Sequence, residues 1–510
     1  MKNVISGEEL QNVMSEAVNL LCDTVSTTLG PTGNNILINN SDTTPFITND
    51  GVTIATNIES EDKRINTVLE IVKEASLKTN ELVGDGTTTT LVLLQSIFNL
   101  GLEEINNGKN KIILKNELLS YMDKVVNEIN NIKRSPKEEE LLSIAVTSSN
   151  SYETGKIITD IFKKVKSKYS IKLEESNSEL TYSINKKGYN ISIKNISNLY
   201  FTKNKYIELK NAKVLILKGY LDNLESISNI INSSLENNDN LIIITEGIED
   251  EIRNEVLVYY LNNKNIFILE QDEYTSHRDK QEEDISYLTN ATIKNIDYEE
   301  IYTTDLGRTD NIIINSDEII FLNSNNCKEL INKLNKELEL CKSDYEKEFI
   351  NSRISKLEEG ITTIYVGGTT KTEKRERMMR FEDAISALET AKNGITIGEG
   401  ITYLKVSEIL PDDNTTSLII KKSLHKPFEC IMNNLGLNSN KIKNKIINNN
   451  YNLIYDYELD DYIPVNNSNI IDSSDVVIQA FKNALSIAAI LLSTSSLVIN
   501  LNEKQVNNIM

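Results

Sequence analysis

Residues 83–95 read Val-Gly-Asp-Gly-Thr-Thr-Thr-Thr-Leu-Val-Leu-Leu-Gln (VGDGTTTTLVLLQ). They set an aspartate between two glycines, directly before an apolar run of helical character. Gly84 and Gly86 let the backbone approach a phosphate chain, and the amides and positive dipole end of the helix that follows favour anions. Thr87, Thr88 and Thr89 add hydroxyl donors. A phosphate loop of the GxxxxGK[ST] type would also bring a lysine, and this stretch has none. Asp85 repels a phosphate unless it holds a cation that bridges to the phosphate oxygens. The stretch therefore predicts a Mg²⁺ ligand at Asp85. A capped surface turn before a helix is the plainer reading, and the motif alone leaves it open.

The flanking sequence supplies further pieces. Upstream, GEELQNVMSEAVNLLCDTV carries Leu10, Val13, Met14, Ala17, Leu20 and Leu21 at helical spacing, and Gly30 and Pro31 end the run. TLGPTGNN (28–35) is a second glycine turn at a helix C-terminus. NNILINN reads as a short strand, and ITNDGVTIA as a tight Asn49-Asp50-Gly51 turn between two β-branched runs. INTVLEIVKEASLKTNEL (65–82) is an amphipathic helix leading into the opening motif. Beyond Pro136 the texture changes. KVLILKG, LESISNIINSSLEN, NLIIITEG, EIRNEVLVYYLNN and NIFILE alternate strand with helix, the pattern of a compact α/β module. Helical sequence then resumes. RFEDAISALETAKNGITIGEG joins the carboxylates Glu382 and Asp383 to a loop holding Gly398 and Gly400, and an apolar helix and a strand, SLVINL, follow later. An α/β module is thus inserted between two helical portions that belong together.

A chain of 510 residues exceeds one hydrophobic core, so several domains are expected. Acidic residues outnumber basic ones 75 to 54, for a formal charge of -21. Such a field disfavours nucleic acid and anionic membrane as partners. No uncharged apolar run of membrane-spanning length and no signal or transit segment is evident, which predicts a cytoplasmic protein. Cys22, Cys327, Cys341 and Cys430 lie far apart, as reduced thiols would. The two histidines, His277 and His425, sit in no catalytic pattern. Acid–base chemistry falls to carboxylates.

In order and spacing, TLGPTGNN, NDGVTIA, IESED, VGDGTTTT, VTSSNSYETGK, LIIITEGIE, YEKEFINSRISKLEEGI, VGG, EDAISA and the closing helix and strand resemble the group I chaperonins, the GroEL family, over nearly the whole chain. The resemblance implies a multidomain α+β fold. Its helical equatorial ATPase domain is made from both chain ends (residues 1–131 and 394–510), its small intermediate domain from 132–186 and 369–393, and its inserted α/β apical domain from 187–368. It implies ATP, Mg²⁺ and K⁺ as cofactors. Asp85 would bind Mg²⁺, with Gly86, Thr87, Thr88 and Thr89 on the phosphates and Thr28, Leu29, Gly30 and Pro31 wrapping the nucleotide. Thr28, Asn49 and Thr88 would surround K⁺. Asp383 would orient the attacking water and Asp50 would lie near the γ-phosphate. Asp472 would meet the ribose and Asp456 the adenine, beside Gly398 and Glu399. Ser148 is a weaker nucleotide-proximal candidate.

The resemblance further implies an apolar apical groove for non-native polypeptides, lined by Ile227, Ile230, Ile231, Ile252, Leu257 and Val258, with Ile196, Tyr200 and Phe201 at its rim. Ordinary core packing competes for each of these residues. A GroES-like lid would use the same strip, and the family assembles as rings of seven subunits. Hinges fall at Pro136 and Gly394, and at Gly188 and the pair Gly367-Gly368. The sequence also departs from the family. Glu399 stands in the middle of a triple glycine, Asp456 replaces an asparagine, Arg253 replaces an apolar groove residue, ILEQDEYTSHRDK lacks a glycine-rich turn, and the chain ends without a glycine–methionine tail. The leading expectation is an ATP-driven folding machine. An ATPase-impaired ring acting as holdase or scaffold is the runner-up. A small-molecule kinase would need an acceptor site that the sequence does not supply.

Overall fold

The computed structural model describes residues 2–39, 45–165, 168–186, 188–194, 196–201, 206–272, 275–322, 327–457 and 459–500. The chain forms two compact units. One combines Met1–Lys164, Glu175–Thr181 and Val366–Met510, and the other Val165–Glu174 and Tyr182–Tyr365.

The first, helical unit is built on long amphipathic helices. Helix Gly7–Ser26 buries Leu10, Val13, Met14, Ala17, Val18, Leu21, Cys22 and Val25 on one face. Leu20, expected on that face, is 40% exposed. Helices Lys63–Val83, Thr87–Asn106 and Lys111–Ile132 contribute Leu69, Val72, Leu91, Leu94, Phe98, Leu118 and Val125 to the same core. Helix Ser474–Ser493 packs against all three. Among the described residues it alone is long and apolar enough to cross a membrane. Its Phe481, Ala484, Leu485, Ala488 and Leu492 are instead buried in this core, so its apolarity serves packing. The chain ends meet, because strand Lys2–Ser6 pairs antiparallel with Ser496–Asn500. The tail beyond residue 500 lies outside the described residues.

The segment after Asp50 corrects the expectation of a second β-branched run. Gly51–Asn57 is a short helix, with Asp50 as its N-cap accepting from the amides of Val52 (3.4 Å) and Thr53 (2.7 Å). The cap wins over the β-propensity of Val52, Thr53 and Ile54 because Ile54 and Ala55 gain burial on a helical face. The expected strand Ile36–Ile38 does form, paired with Phe46–Thr48.

The second, inserted unit is an α/β sheet. Strands run in the order Tyr189–Ser192, Glu318–Leu322, Gly307–Ile314, Ile207–Leu221, Leu241–Ile248 and Ile266–Glu270, and Ile293–Asn295 also pairs with Ile207–Leu221. Ile207–Leu221, Leu241–Ile248 and Ile266–Glu270 are parallel, joined through helices Ser228–Asn237 and Asp250–Leu261. Alternate residues feed opposite faces. Val214, Ile216, Ile242 and Ile244 pack one way, and Leu215, Leu217, Leu241 and Ile243 the other. This explains why KVLILKG and NLIIITEG are apolar without alternation: both faces of a parallel sheet are covered.

The apical strip expected to be exposed is mostly core. Ile227, Ile230, Ile231, Ile252 and Leu257 are each under 9% exposed. At spacings of three and four, Ile227, Ile230 and Ile231 form the face by which their helix seats on the sheet. Tyr200 is buried against Tyr260 and Phe267, with ring centroids 5.0 and 5.5 Å away, and Ile196 and Phe201 are partly buried beside that cluster. Only Val258 of the strip is open, at 54% exposure. Arg253 pairs with Glu270 and lies 3.4 Å from Asp250. Of the adjoining loop, Glu273 and Tyr274 lie outside the described residues.

Candidate nucleotide site

Helix Lys63–Val83 ends at Gly84 (φ +67), and helix Thr87–Asn106 begins after Gly86 (φ +78). Both glycines occupy the left-handed region, so Asp85 sits at the apex of a sharp helix-to-helix corner. Neither position has room for a side chain. A Cβ on Gly84 would lie 2.3 Å from the Ser386 hydroxyl, and one on Gly86 would lie 2.6 Å from Val476. The first contact seats helix Lys371–Ala391 directly on the corner and brings Asp383 to it. Sequence reasoning named both glycines for approach to a phosphate and missed this packing role. The signal was Ser386, one helical turn beyond Asp383.

Asp85 accepts the Gly86 amide at 2.5 Å and the Ser148 hydroxyl at 3.0 Å, which brings the weaker candidate Ser148 into the site. Burial raises the Asp85 carboxyl above the usual carboxylate range against these two hydrogen bonds, and the charge of Asp50 adds to the rise. Asp383 is held well above its ordinary value by burial, then by the charges of Asp85, Asp50 and Glu382, with Arg380 opposing weakly. Three half-buried acids thus act on one another in this corner.

The hydroxyls expected around K⁺ also converge. The Thr28 hydroxyl donates to the Val25 carbonyl at 2.8 Å and lies 3.5 Å from the Thr88 hydroxyl. Gly51 is the reason the Asp50 turn can approach: a Cβ there would lie 2.5 Å from the Thr88 hydroxyl and 2.8 Å from that of Thr87. Asn49, half-buried, precedes that turn, and Thr89 is half-buried at the helix start. The turn from Thr28 through Leu29, Gly30 and Pro31 is held by Asn434, which donates to the carbonyls of Ser26 (3.0 Å) and Leu29 (2.9 Å), and by Asn150, which donates to Pro31 (3.3 Å).

A second acidic group lies beside it. Strand Ile395–Ile397 pairs with Ile471–Ser473, setting Thr396 opposite Asp472, and the Gly398 amide donates to Ile470. Glu399 has φ +54, so the backbone of the interrupted glycine triplet is kept with a side chain on it. Its carboxyl is pushed up to about 8 by burial and then by Asp472 and Asp456, and its Oε2 has no hydrogen-bond partner. Asp472 is raised to about 7 by burial and then by Asp85. Asp456 closes strand Leu453–Asp456 and accepts the Leu459 amide at 3.1 Å. Gly394 (φ +136) and Gly188 (φ +127) have positive φ, Pro136 is half-buried, and Gly367 and Gly368 follow strand Ile361–Val366.

The donor set suits a hard cation. Asp50, Asp85 and Asp383 do not bring three carboxylate oxygens within 4.8 Å of one another, as Glu246, Asp279 and Glu282 do elsewhere. They cannot cage an ion unaided. One carboxylate plus phosphate oxygens and water is the environment Mg²⁺ prefers, so the residues fit a Mg²⁺·nucleotide and not a bare ion.

Fold and site together define a chaperonin-like chain, with a helical unit made from both ends, an α/β unit inserted in it, and a corner of carboxylates and hydroxyls in the helical unit. The sequence pattern of the TCP-1/cpn60 chaperonin family matches residues 21–501, and the chain belongs to that family, as a diverged member of GroEL type. Among solved structures it is similar to the chaperonin gp146 from the bacteriophage EL 2 (Pseudomonas aeruginosa), crystallised in presence of ATP-BeFx. Crystal form I gives a TM-score of 0.71 and form II 0.68, each at 18% identity over 98% of this chain and 99% of that one.

Proposed function

We propose that the chain is the subunit of an ATP-driven protein-folding ring. Membership of the chaperonin family supports this at the level of the class. The observation that carries the ATPase reading is the corner at Asp85, where half-buried acids that raise one another's pKa meet threonine hydroxyls at a helix start. A cation between its members, bridging to a phosphate chain, would stabilise such a group in its charged form. Asp85 would hold Mg²⁺, which when bound offsets charge on the phosphates, and the oxygens of Thr28, Asn49 and Thr88 would hold K⁺. Thr87, Thr88 and Thr89 donate to the phosphates. Asp383, more basic than an ordinary aspartate because of its neighbours, positions the attacking water and accepts its proton. Asp50 has both oxygens committed to capping, so its part is to fix the corner and contribute charge near the γ-phosphate.

In this reading the inserted unit captures non-native polypeptide. Val258 and Leu261, exposed one turn apart on helix Asp250–Leu261, offer apolar surface, less of it than the sequence suggested. Seven-membered rings and a GroES-like lid belong to the same proposal. The second reading, a holdase or scaffold with impaired turnover, is favoured by Glu399, whose buried carboxyl stands where a nucleotide would be cradled.

Mg²⁺- and K⁺-dependent ATP hydrolysis beside an Asp383→Ala variant decides between them. Turnover is expected to fall by about 10²–10⁴-fold in the variant while ATP binding persists. Wild-type protein that binds ATP but hydrolyses it no faster than the variant would establish the scaffold, and Glu399→Gly would then test the cause.

A further inference from the structure

In the inserted unit, the parallel strands Ile207–Leu221 and Leu241–Ile248 run past Lys218 and Glu246 toward their carboxyl ends, with helix Thr275–Thr289 on the same side. The carboxyl ends of parallel strands are where open α/β sheets bind ligands. There Glu246, Asp279 and Glu282 bring one carboxylate oxygen each within 4.8 Å of one another. Glu282 is fully buried, and neither of its carboxylate oxygens has a hydrogen-bond partner.

We propose that Glu246, Asp279 and Glu282 form a binding site for a hard divalent cation, Ca²⁺ in the first instance. Three carboxylates supply up to six oxygens, able to bind singly or in pairs, and Ca²⁺ accepts that irregular geometry where Mg²⁺ demands an octahedron. No nitrogen or sulfur ligand is in the group, which argues against zinc and copper. The proposal is independent of the nucleotide site, which lies in the other unit.

The neighbouring protein cations fill this role only in part. Lys218 donates to Asp279 Oδ1 at 2.5 Å but stays 3.9 Å from Glu282 Oε2, and Arg278 lies 3.7 Å from Glu246 Oε2. Both serve the rim and leave the buried member without a hydrogen bond. A buried carboxylate in that state either gains a cation or keeps a proton. Burial lifts the Glu282 carboxyl despite the opposing pull of Lys218.

Calorimetric titration of the nucleotide-free full chain with CaCl₂, at mildly alkaline pH, tests the site. One Ca²⁺ per chain is expected, retained in Asp85→Asn and lost in Glu282→Gln. In Glu246→Gln the affinity is expected to fall at least about tenfold, because ligand charge count sets Ca²⁺ affinity. Glu246 is partly exposed, so this variant carries the test if Glu282→Gln folds poorly. Absence of saturable binding up to about 1 mM, the weak end for protein Ca²⁺ sites, would overturn the proposal. So would Ca²⁺ binding of undiminished affinity in Glu246→Gln. Glu282 would then hold only a proton.

Discussion

Two groups of carboxylates, one around Asp284 in the inserted unit and one around Asp85 in the helical unit, are treated in opposite ways. In the inserted unit Asp284 is wholly enclosed, yet Arg353 donates to it twice, at 2.7 and 2.6 Å, and the Tyr189 hydroxyl a third time at 2.7 Å. In the helical unit Asp383 is acted on by the charges of Asp85, Asp50 and Glu382, and among the described residues Arg380 opposes them. The first arrangement is closed: every partner is protein, and its work is to fix the helix pairing. The second is open, because the charges that would balance it are not found among the described residues around it. A buried carboxylate with bidentate arginine speaks for structure, and a buried carboxylate facing others speaks for a ligand.

Three substitutions would break or sharpen this contrast. Arg353→Met strands Asp284 in the core, and unfolding of the inserted unit, followed by calorimetry, should lose about 3–5 kcal/mol. An unchanged transition would show that water reaches Asp284 and that the pair is not closed. Asp383→Asn should have the opposite sign. With no nucleotide present it removes a like charge and should stabilise the helical unit by about 0.5–2 kcal/mol, as substitutions that relieve functional strain do. Destabilisation would mean that the three acids already have their counter-charge. The smallest effect is a slope. Glu399 keeps its proton to about 8 when folded, but ionises in the ordinary carboxylate range when unfolded. Between those values the native state binds more protons, so stability falls as pH rises, by at most about 1.4 kcal/mol per pH unit from this group. Glu399→Gln should flatten the decline between about pH 5 and 8, leaving the part due to Asp472. Equal slopes in both proteins would place Glu399 in contact with water.

The sequence was most legible where local geometry and chemistry coincide. The corner at Gly84 and Gly86 combines two left-handed positions with a helix start, and both are short-range facts. Asp383 and Ser148 were reachable through the resemblance; nothing in their own neighbourhood says that they meet Asp85 across the fold. The apical strip misled because an i, i+3, i+4 apolar pattern marks a buried face, and the sequence does not say whether sheet or solvent lies opposite. Here the sheet takes Ile227, Ile230 and Ile231. VTIA after Asp50 misled for the converse reason, since side-chain capping is stronger than β-propensity over so few residues. The cluster at Glu246 was invisible, because its members come from a strand end and a helix over thirty residues away.

The pairing of Lys2–Ser6 with Ser496–Asn500, and the central place of helix Ser474–Ser493, set an order on synthesis. On the ribosome the inserted unit is complete long before the helical one can close. Helix Thr87–Asn106, with Leu91, Leu94 and Phe98 destined for the core, can pack on helices Gly7–Ser26 and Lys63–Val83 early but lacks the cover of the last helix until that helix arrives. A nascent chain of this protein thus displays, for much of its own translation, the kind of greasy surface that invites aggregation and the help of other chaperones.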